Sequence, residues 1–219
     1  MTIQPHASTP VSSVIQTRYD YVHLLHLVQE RGKKLYGPQY AVQDVDRAVV
    51  MKLITYFMAD EALAPQEGLQ LHKGLLVCGP VGCGKSSLLH ILRSLLPEKL
   101  QYGIVSCRNV VTRFAESGYG IIHRYSCLPG SDTLPWNCYC FDDLGLEPKG
   151  YFYKSECNVM AEVLFNRYEA FVHRGIVTHL TTNLGPAELE ETYGNRLRSR
   201  MREMLNLVAF HEESPDKRR

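Results

Sequence analysis

The stretch Gly79-Pro-Val-Gly-Cys-Gly-Lys-Ser86 matches the phosphate-binding template of glycine, four residues, glycine, lysine and serine or threonine. It lies between an apolar run at residues 75–78, which is typical of a buried strand, and residues 86–96, whose leucines and isoleucine recur at helical spacing. In such a unit the loop amides and the helix N-terminus converge on one anion. The stretch predicts a nucleotide-binding site between a strand and a helix; the alternative is a glycine-rich turn that binds nothing.

The residues of this loop have expected roles in holding ATP. Lys85 is expected to reach the β and γ phosphates, and Ser86 to place its hydroxyl on Mg²⁺, a hard cation that prefers oxygen ligands. The predicted nucleotide-binding residues are Gly79, Pro80, Val81, Gly82, Cys83, Gly84, Lys85, Ser86 and Ser87. Because the Cys83 thiol is expected near bound phosphate, its oxidation or alkylation should block nucleotide binding.

Carboxylates follow a second apolar run. Residues 138–141 read as a strand, and Asp142 and Asp143 come directly after it. We expect this strand to deliver both side chains beside the phosphate loop, Asp142 to hold the Mg²⁺ shell, and Asp143 to orient or deprotonate the attacking water. An exposed acidic turn is the alternative. Glu147 is a reserve candidate for these two carboxylate roles.

A third strand, at residues 176–180, ends in a polar group, Thr181-Thr-Asn183. Strand ends of this kind line the nucleotide crevice in α/β folds, so Asn183 is expected to hold the attacking water or the γ-phosphate. The alternative is a turn closed by a hydrogen bond from the asparagine side chain.

Composition is that of an ordinary globular enzyme. The chain has 219 residues, of which 45% are hydrophobic and 21% charged, and a formal net charge of +1, which excludes a grossly basic nucleic-acid binder but not a local basic patch. Neither an apolar run of about 18 residues nor a charged and then apolar leader is present, so no membrane partner and a cytoplasmic location are expected. The seven scattered cysteines argue against a disulfide framework, and metal binding by Cys138 and Cys140 lacks a complementary ligand pair.

The first forty residues differ from the rest of the chain. Residues 1–16 lack periodicity and predict a disordered start, whereas residues 18–34 predict an amphipathic helix that docks on the core or on a partner. A second helix is expected at about residues 42–59. Tyr36 and Tyr40, which lie between the two helices, are candidates for stacking on adenine, although core or hinge aromatics are the commoner case.

Between the strand at residues 102–106 and the acidic strand, a helix is expected at residues 108–117 and a long irregular connection at residues 118–136. This region mixes basic and aromatic residues that could track single-stranded nucleic acid by charge and stacking, with a solvated loop as the alternative. They are Arg113, Tyr119, His123, Arg124 and Tyr125. After the acidic strand, exposed aromatics at residues 151–153 precede a helix predicted at residues 155–173, which Gly175 ends.

Four arginines occupy every second position near the end of the chain, namely Arg196, Arg198, Arg200 and Arg202. If this region is helical, the first and third share one face, and the second and fourth share nearly the opposite one. One pair can then project from the core and offer a charge to a neighbour's γ-phosphate. A solvated basic face is the competing interpretation.

These motifs together resemble the AAA+ ATPases of the DnaC and IstB type, a family of bacterial helicase loaders and transposition helper ATPases. The resemblance rests on residues 79–86, 141–145, 181–184 and 193–201, in this order and spacing, and covers about residues 42–219. It implies a three-layer α/β/α P-loop NTPase fold, an AAA+ core with a parallel five-stranded sheet, without a C-terminal helical lid. It also implies ATP-dependent assembly on single-stranded DNA, with a replicative helicase or a transposase as partner.

The resemblance assigns roles to individual residues. It makes Lys85 and Ser86 the Walker A pair, Asp142 and Asp143 the Walker B pair, Asn183 the first sensor and Arg200 the arginine finger through which copies of the chain associate. A second-sensor residue would come from Lys217, Arg218 or Arg219, and Arg218 is favoured.

We therefore expect a partly disordered extension with an amphipathic helix at residues 1–40 and an AAA+ ATPase domain at residues 41–219. The expected activity is Mg²⁺-dependent ATP hydrolysis in DNA replication or transposition. Two alternatives remain open: a nucleotide-gated module that binds DNA or protein with little hydrolysis, and a small-molecule P-loop kinase.

Overall fold

A computed structural model describes residues 19–126, 138–153 and 155–218. Three parts of the earlier predictions fall outside the described residues: the disorder of residues 1–16, residues 127–136 of the long connection, and Arg219. In chain order the helices are α1 (Tyr21–Tyr36), α2 (Arg47–Phe57), α3 (Lys85–Leu95), α4 (Cys107–Ser117), α5 (Gly120–Ser126), α6 (Val159–Arg174) and α7 (Pro186–Met204). The strands are β1 (Gly74–Cys78), β2 (Gly103–Ser106), β3 (Tyr139–Leu144), β4 (Gly150–Phe152), β5 (Ser155–Cys157), β6 (Thr178–Thr182) and β7 (Leu205–Ala209).

Five strands form one parallel sheet in the order β2-β3-β6-β1-β7. Side chains alternate between the two faces of a strand, and in β1 Leu75 and Val77 join one hydrophobic cluster while Leu76 joins the other. The first cluster includes residues of α1, α2 and α3, and the second includes residues of α4 to α7. Helices therefore cover both faces, as a parallel sheet requires, and the predicted three-layer α/β/α fold is confirmed.

The sheet order places three chemically important strand ends side by side. β1 runs into the phosphate loop, β6 runs into Asn183, and β3, which pairs with β6, carries Asp142 and Asp143. Because these neighbours are parallel, their carboxyl ends meet at one edge of the sheet, where α/β folds bind ligands.

Helix α1 is part of the domain core. Asp20 caps its N-terminus by accepting hydrogen bonds from two backbone N–H groups, and its buried residues include Leu25 and Val28. Arg31 Nε donates to Ser94 Oγ on α3 at 2.8 Å. Of the two expectations for this helix, docking on the core and docking on a partner, the structure shows the first.

Several predicted element boundaries were wrong for local reasons. The second helix begins later than expected, after a 3-10 turn at Asp44–Asp46, and the region predicted as irregular after Ser117 contains α5. The helix predicted from residue 155 begins at Val159, because Asn158 caps it and the preceding residues pair with β4 in a hairpin. The strand β7 was missed, since its five residues follow the arginine-rich helix with no turn signal between them.

Candidate functional site

The phosphate loop turns sharply between β1 and α3. Gly82 and Gly84 have φ of 80° and 101°, a left-handed conformation that glycine adopts without strain. At Gly82 a side chain would also collide with the Asp216 carboxylate, since an added Cβ would lie 2.0 Å from Oδ1. Among the described residues, no side chain makes a capping hydrogen bond at Gly84, the N-cap of α3, and a helix N-terminus of this kind is suited to receive an anion.

Lys85 is held by oxygen acceptors at the mouth of the loop. Its ammonium donates to the carbonyl oxygens of Gly79 and Pro80, each at 2.8 Å, and to Asn183 Oδ1 at 2.5 Å. The side chain is almost wholly buried, and burial lowers the pKa of Lys85 although the charges of Asp143 and Asp142 oppose the shift. The structure thus brings the loop lysine and the predicted sensor asparagine into direct contact.

Ser86 and Asp142 meet at the other side of the loop. Ser86 Oγ donates to Asp142 Oδ1 at 2.7 Å, and the same carboxylate oxygen accepts from Thr181 Oγ1 at 2.6 Å. A hydroxyl and a carboxylate at this separation are the donor types that Mg²⁺ prefers, and Mg²⁺ needs only one or two protein ligands when phosphates and waters supply the rest. The residues present therefore fit a magnesium site, with Ser86 and Asp142 as its protein ligands.

Asp143 lies in a β-bulge. Between Phe141 and Leu144 the pairing of β3 with β6 shifts register, so that Asp142 and Asp143 together oppose Thr181. Asp143 has a φ of 58°, and its N–H donates to Thr181 Oγ1 at 2.8 Å. The expected simple strand ending at residue 141 was wrong, because the strand continues through the bulge to Leu144.

The charge state of Asp143 is set by its surroundings. Burial raises the pKa of this carboxyl, and the negative charge of Asp142 raises it further, while the charges of Lys85 and Arg218 oppose the shift. A carboxyl with a raised pKa holds a proton more readily than an ordinary aspartate, as a general base requires.

Beside the loop lies a cavity of about 560 Å³. One wall comes from the segment between α1 and α2, and another from the segment after β7. Tyr36 and Tyr40 both line the cavity, and the Tyr40 ring also packs against Gly32 of α1. Stacking of adenine on either of these rings stays a prediction.

Cys83 and Glu147 are both engaged inside the protein. The Cys83 thiol is fully buried 3.8 Å from Lys85 Nζ, and burial raises its pKa; that its modification blocks nucleotide binding stays a prediction. Glu147 does not serve as a reserve carboxylate: Oε2 accepts the Gly145 N–H at 2.7 Å, and Oε1 accepts the Tyr193 hydroxyl.

The arginines of α7 divide between two environments. Arg200 Cζ lies 5.1 Å from the Phe165 ring centroid and 4.6 Å from that of Tyr168, and Nη2 lies 3.4 Å from Glu169 Oε1. Arg196 also lies over Phe165, so this pair shares the face toward α6, as the helical spacing predicted. Arg198 faces the phosphate loop instead. Its charge, like that of Lys85, acts on the Cys78 thiol at the end of β1 and opposes the rise in pKa that burial causes.

Two of the three candidate second-sensor residues, Lys217 and Arg218, lie beside the loop, and Arg219 is outside the described residues. Lys217 Nζ donates to the carbonyl oxygen of Cys83 at 2.5 Å and pairs with Asp46. Arg218 lines the cavity together with Asp143, and its charge opposes the rise in the Asp143 pKa that burial and Asp142 cause. The role of Arg218 as second sensor stays a prediction.

The region predicted to contact nucleic acid is only partly exposed. Tyr125 is buried and accepts a hydrogen bond from Arg113, which is itself exposed. Tyr119, His123 and Arg124 are exposed. Of these three residues, Tyr119 contacts the hairpin of β4 and β5: its ring centroid lies 6.4 Å from that of Phe152. On the hairpin, Tyr151 and Tyr153 are also exposed.

No protein-family model and no curated protein matches the chain. Among solved structures, the DnaC helicase loader is similar with a TM-score of 0.51 and 15% identity, over 80% of this chain and 95% of its own. DnaI gives a TM-score of 0.54 and 18% identity, over 78% of this chain and 88% of its own. The replication initiator DnaA, bound to AMPPCP and single-stranded DNA, gives 0.51 and 16%, over 80% of this chain and 49% of its own.

At identities this low the likeness establishes the fold: the chain has the P-loop AAA+ α/β fold, and it spans about half the length of the DnaA chain. Within the described residues, no helix combines the length and apolar character that crossing a membrane requires.

Proposed function

We propose that this protein is a Mg²⁺-dependent ATPase that couples ATP binding and hydrolysis to assembly on single-stranded DNA, in replication or transposition. One observation carries the proposal. Three segments distant in sequence place Lys85 against Asn183, and Ser86 against Asp142, at the end of the sheet where the phosphate loop begins. This is the arrangement that binding the phosphates and the metal of a nucleotide requires.

Each residue has a definite task in the proposed reaction. Lys85 exchanges the carbonyl oxygens of Gly79 and Pro80 for phosphate oxygens when ATP enters. Ser86 and Asp142 hold Mg²⁺, which neutralises charge on the phosphates. Asp143 accepts a proton from the attacking water.

Asn183 completes the arrangement around the phosphates. Its amide is at present bound to Lys85. Once Lys85 turns to the phosphates, Asn183 is free to orient water beside the γ-phosphate.

Arg200 is the proposed link between copies of the chain. Two aromatic rings and Glu169 hold its guanidinium at the surface between α6 and α7, with 21% of the side chain exposed. A pre-ordered arginine loses little further entropy when it reaches a neighbour's γ-phosphate. Without that neighbour, hydrolysis should be slower by about a thousandfold.

Single-stranded DNA is the proposed assembly platform, and a helicase or transposase the proposed protein partner. The exposed surface of Tyr119, His123, Arg124, Tyr151 and Tyr153 supports this, because bases stack on aromatic rings and phosphates attract cations. DnaA, to which the fold is similar, is described bound to single-stranded DNA.

The test is the ATP hydrolysis rate per protomer against protein concentration, with and without single-stranded DNA. We expect the rate to rise with both. Arg200→Ala should keep ATP binding and lose the stimulated rate, whereas Lys85→Ala should lose binding. Arg202→Ala, which removes an exposed arginine from the same helix, is the matched control and should behave as the unaltered protein.

Normal stimulated turnover in Arg200→Ala would overturn the finger assignment. A flat rate that ignores DNA would favour a small-molecule kinase or a nucleotide-gated binder instead.

The nucleotide-gated binder has one observation in its favour. The proposed base is an aspartate, one methylene shorter than the glutamate common in this role, and it sits in a strained left-handed conformation on a bulge. ATP-dependent DNA binding without steady-state phosphate release would decide for this second function.

A further inference from the structure

The segment after β7, residues 210–218, folds back over the phosphate loop. Phe210 N–H donates to the carbonyl oxygen of Cys78 at 2.8 Å, and Lys217 N–H donates to that of Gly82 at 3.1 Å. These backbone bonds join residues far apart in the chain, so the segment is attached to the last residue of β1 and to the middle of the loop.

The Lys217 side chain reaches two further groups. Its ammonium donates to the Cys83 carbonyl oxygen at 2.5 Å and lies 2.5 Å from Asp46 Oδ2. The contact with Asp46 is an ion pair and not an aligned hydrogen bond, because Oδ2 has no partner within hydrogen-bonding geometry. Lys217 therefore binds two consecutive loop carbonyls, those of Gly82 and Cys83, through its backbone and its side chain.

Asp46 is buried, with only 1% of its surface exposed. Ser214 Oγ donates to its Oδ1 at 2.6 Å, and Lys217 supplies the positive charge at Oδ2. A buried carboxylate that loses its cation is strongly unfavourable. Asp46 ends the 3-10 turn before α2 and lines the cavity, so the ion pair joins the segment before α2 to the segment after β7 across the loop.

The direction of the carbonyls has a consequence for the amides. A trans peptide unit is planar, with its C=O and its N–H pointing to opposite sides. Holding the Gly82 and Cys83 carbonyls toward Lys217 therefore turns the N–H groups of Cys83 and Gly84 away from it. Loop amides bind phosphate only when they share such a preset direction.

We propose that Lys217 and Asp46 are positioning residues for the nucleotide, and that their ion pair presets the phosphate loop and thereby sets its affinity for ATP. This inference rests on the proposed function, since it assumes that the loop binds a nucleotide. It is separate from the second-sensor role, because the ammonium acts on the loop backbone and on Asp46, not on phosphate.

The test is the dissociation constant for a fluorescent ATP analogue with Mg²⁺, measured on the full chain at a temperature where circular dichroism shows every variant folded. Lys217→Met and Lys217→Gln should each weaken binding by about tenfold, the size expected when a charge-assisted hydrogen bond is lost. Lys217→Arg, which keeps the charge, should lose less. Lys99→Met removes an exposed lysine elsewhere and should leave affinity unchanged.

A double-mutant cycle tests the pair itself. Asp46→Asn should also weaken binding, and Asp46→Asn with Lys217→Met should be little worse than the poorer single variant, because the two residues act together. Melting temperatures measured without nucleotide separate positioning from stability alone.

The outcomes are distinct. If Lys217→Gln folds, melts earlier and binds ATP with unchanged affinity, the residue is merely structural and the proposal fails. Tighter binding in that variant would also overturn it, since the segment would then be obstructing the cavity. Absence of saturable binding in the unaltered protein would instead refute the proposed nucleotide function, and would do so before any variant was compared.

Discussion

At the scale of single residues, Thr181 organises both acidic side chains of the site. Its hydroxyl donates to Asp142 Oδ1 and accepts from the Asp143 N–H, so one side chain orients the proposed magnesium ligand and fixes the bulge that carries the proposed base. The bulge makes this possible, because two residues of β3 oppose a single residue of β6. Residues that orient a metal ligand affect metal binding nearly as much as the ligand itself.

Thr181→Val should therefore impair the use of Mg²⁺ more than it impairs folding. Valine has nearly the shape of threonine but neither donates to Asp142 nor accepts from Asp143. We expect the Mg²⁺ concentration for half-maximal ATP hydrolysis to rise by about tenfold or more. The measurement is a Mg²⁺ titration of hydrolysis at saturating ATP.

Thr112→Val on α4 is the matched control, since that hydroxyl is exposed and bonds only within its own helix. An unchanged Mg²⁺ requirement in Thr181→Val would contradict the orienting role.

At the scale of elements, α1 shows that periodicity can predict a helix without predicting what the helix packs against. Its buried side chains face α2 and α3, and it is tied to the domain by Arg31 on Ser94 and by the Tyr21 hydroxyl on Asp60 Oδ2 at 2.8 Å. Periodicity identified an apolar stripe but not what covers it, because an amphipathic stripe can face its own core or another protein equally well.

Val28→Ala should lower the free energy of unfolding by about 1–3 kcal/mol, because it leaves a cavity under α1. Val28 is 2% exposed and Val22, on the same helix, is 74% exposed, so Val22→Ala is a matched control that should change stability by less than about 0.5 kcal/mol. Urea unfolding measures both. Equal effects would mean that α1 is not part of the cooperative core.

Element boundaries were less predictable than element types. The helix after the acidic strand was expected from residue 155, but Asn158 Oδ1 accepts the Ala161 N–H and sets its start at Val159. Residues before it pair with β4, and this pairing is a tertiary choice that the helical pattern of the sequence does not reveal.

At the scale of the whole molecule, a buried histidine couples stability to pH. His179 lies in β6 among the rings of Tyr56, Phe57 and Tyr102. Burial, helped by the positive charge of Arg167, lowers its pKa from 6.5 to about 3. Between these values the unfolded chain binds a proton at this residue and the folded protein does not, so stability is complete above about pH 6.5 and declines as the pH falls toward 3.

This histidine should contribute a slope of about 1.4 kcal/mol per pH unit to the free energy of unfolding within that window. Urea unfolding from pH 7.5 to pH 4 should show a shallower dependence in His179→Phe than in the unaltered protein. Asp143 and Glu147, whose pKa values are raised, act in the opposite direction, but equally in both proteins.

His23→Phe, which removes an exposed histidine of α1, is the matched control. Parallel pH profiles for His179→Phe and the unaltered protein would refute the assignment.

The sequence by itself determined the parts of the protein whose chemistry is local. The phosphate loop is readable because its glycines, lysine and serine are consecutive and lie between a buried strand and a helix, and Asp142 and Asn183 are readable as polar ends of apolar runs. Together these patterns carry the family resemblance that implied the α/β fold, which the parallel five-stranded sheet confirms.

Only the tertiary structure decided which distant residues meet. Thr181 as the bridge between Asp142 and Asp143, Glu147 bound to Tyr193, and Lys217 paired with Asp46 all join residues from separate segments of the chain. No local pattern encodes such contacts, because they follow from the order of strands in the sheet and from the need of each buried polar group for a partner.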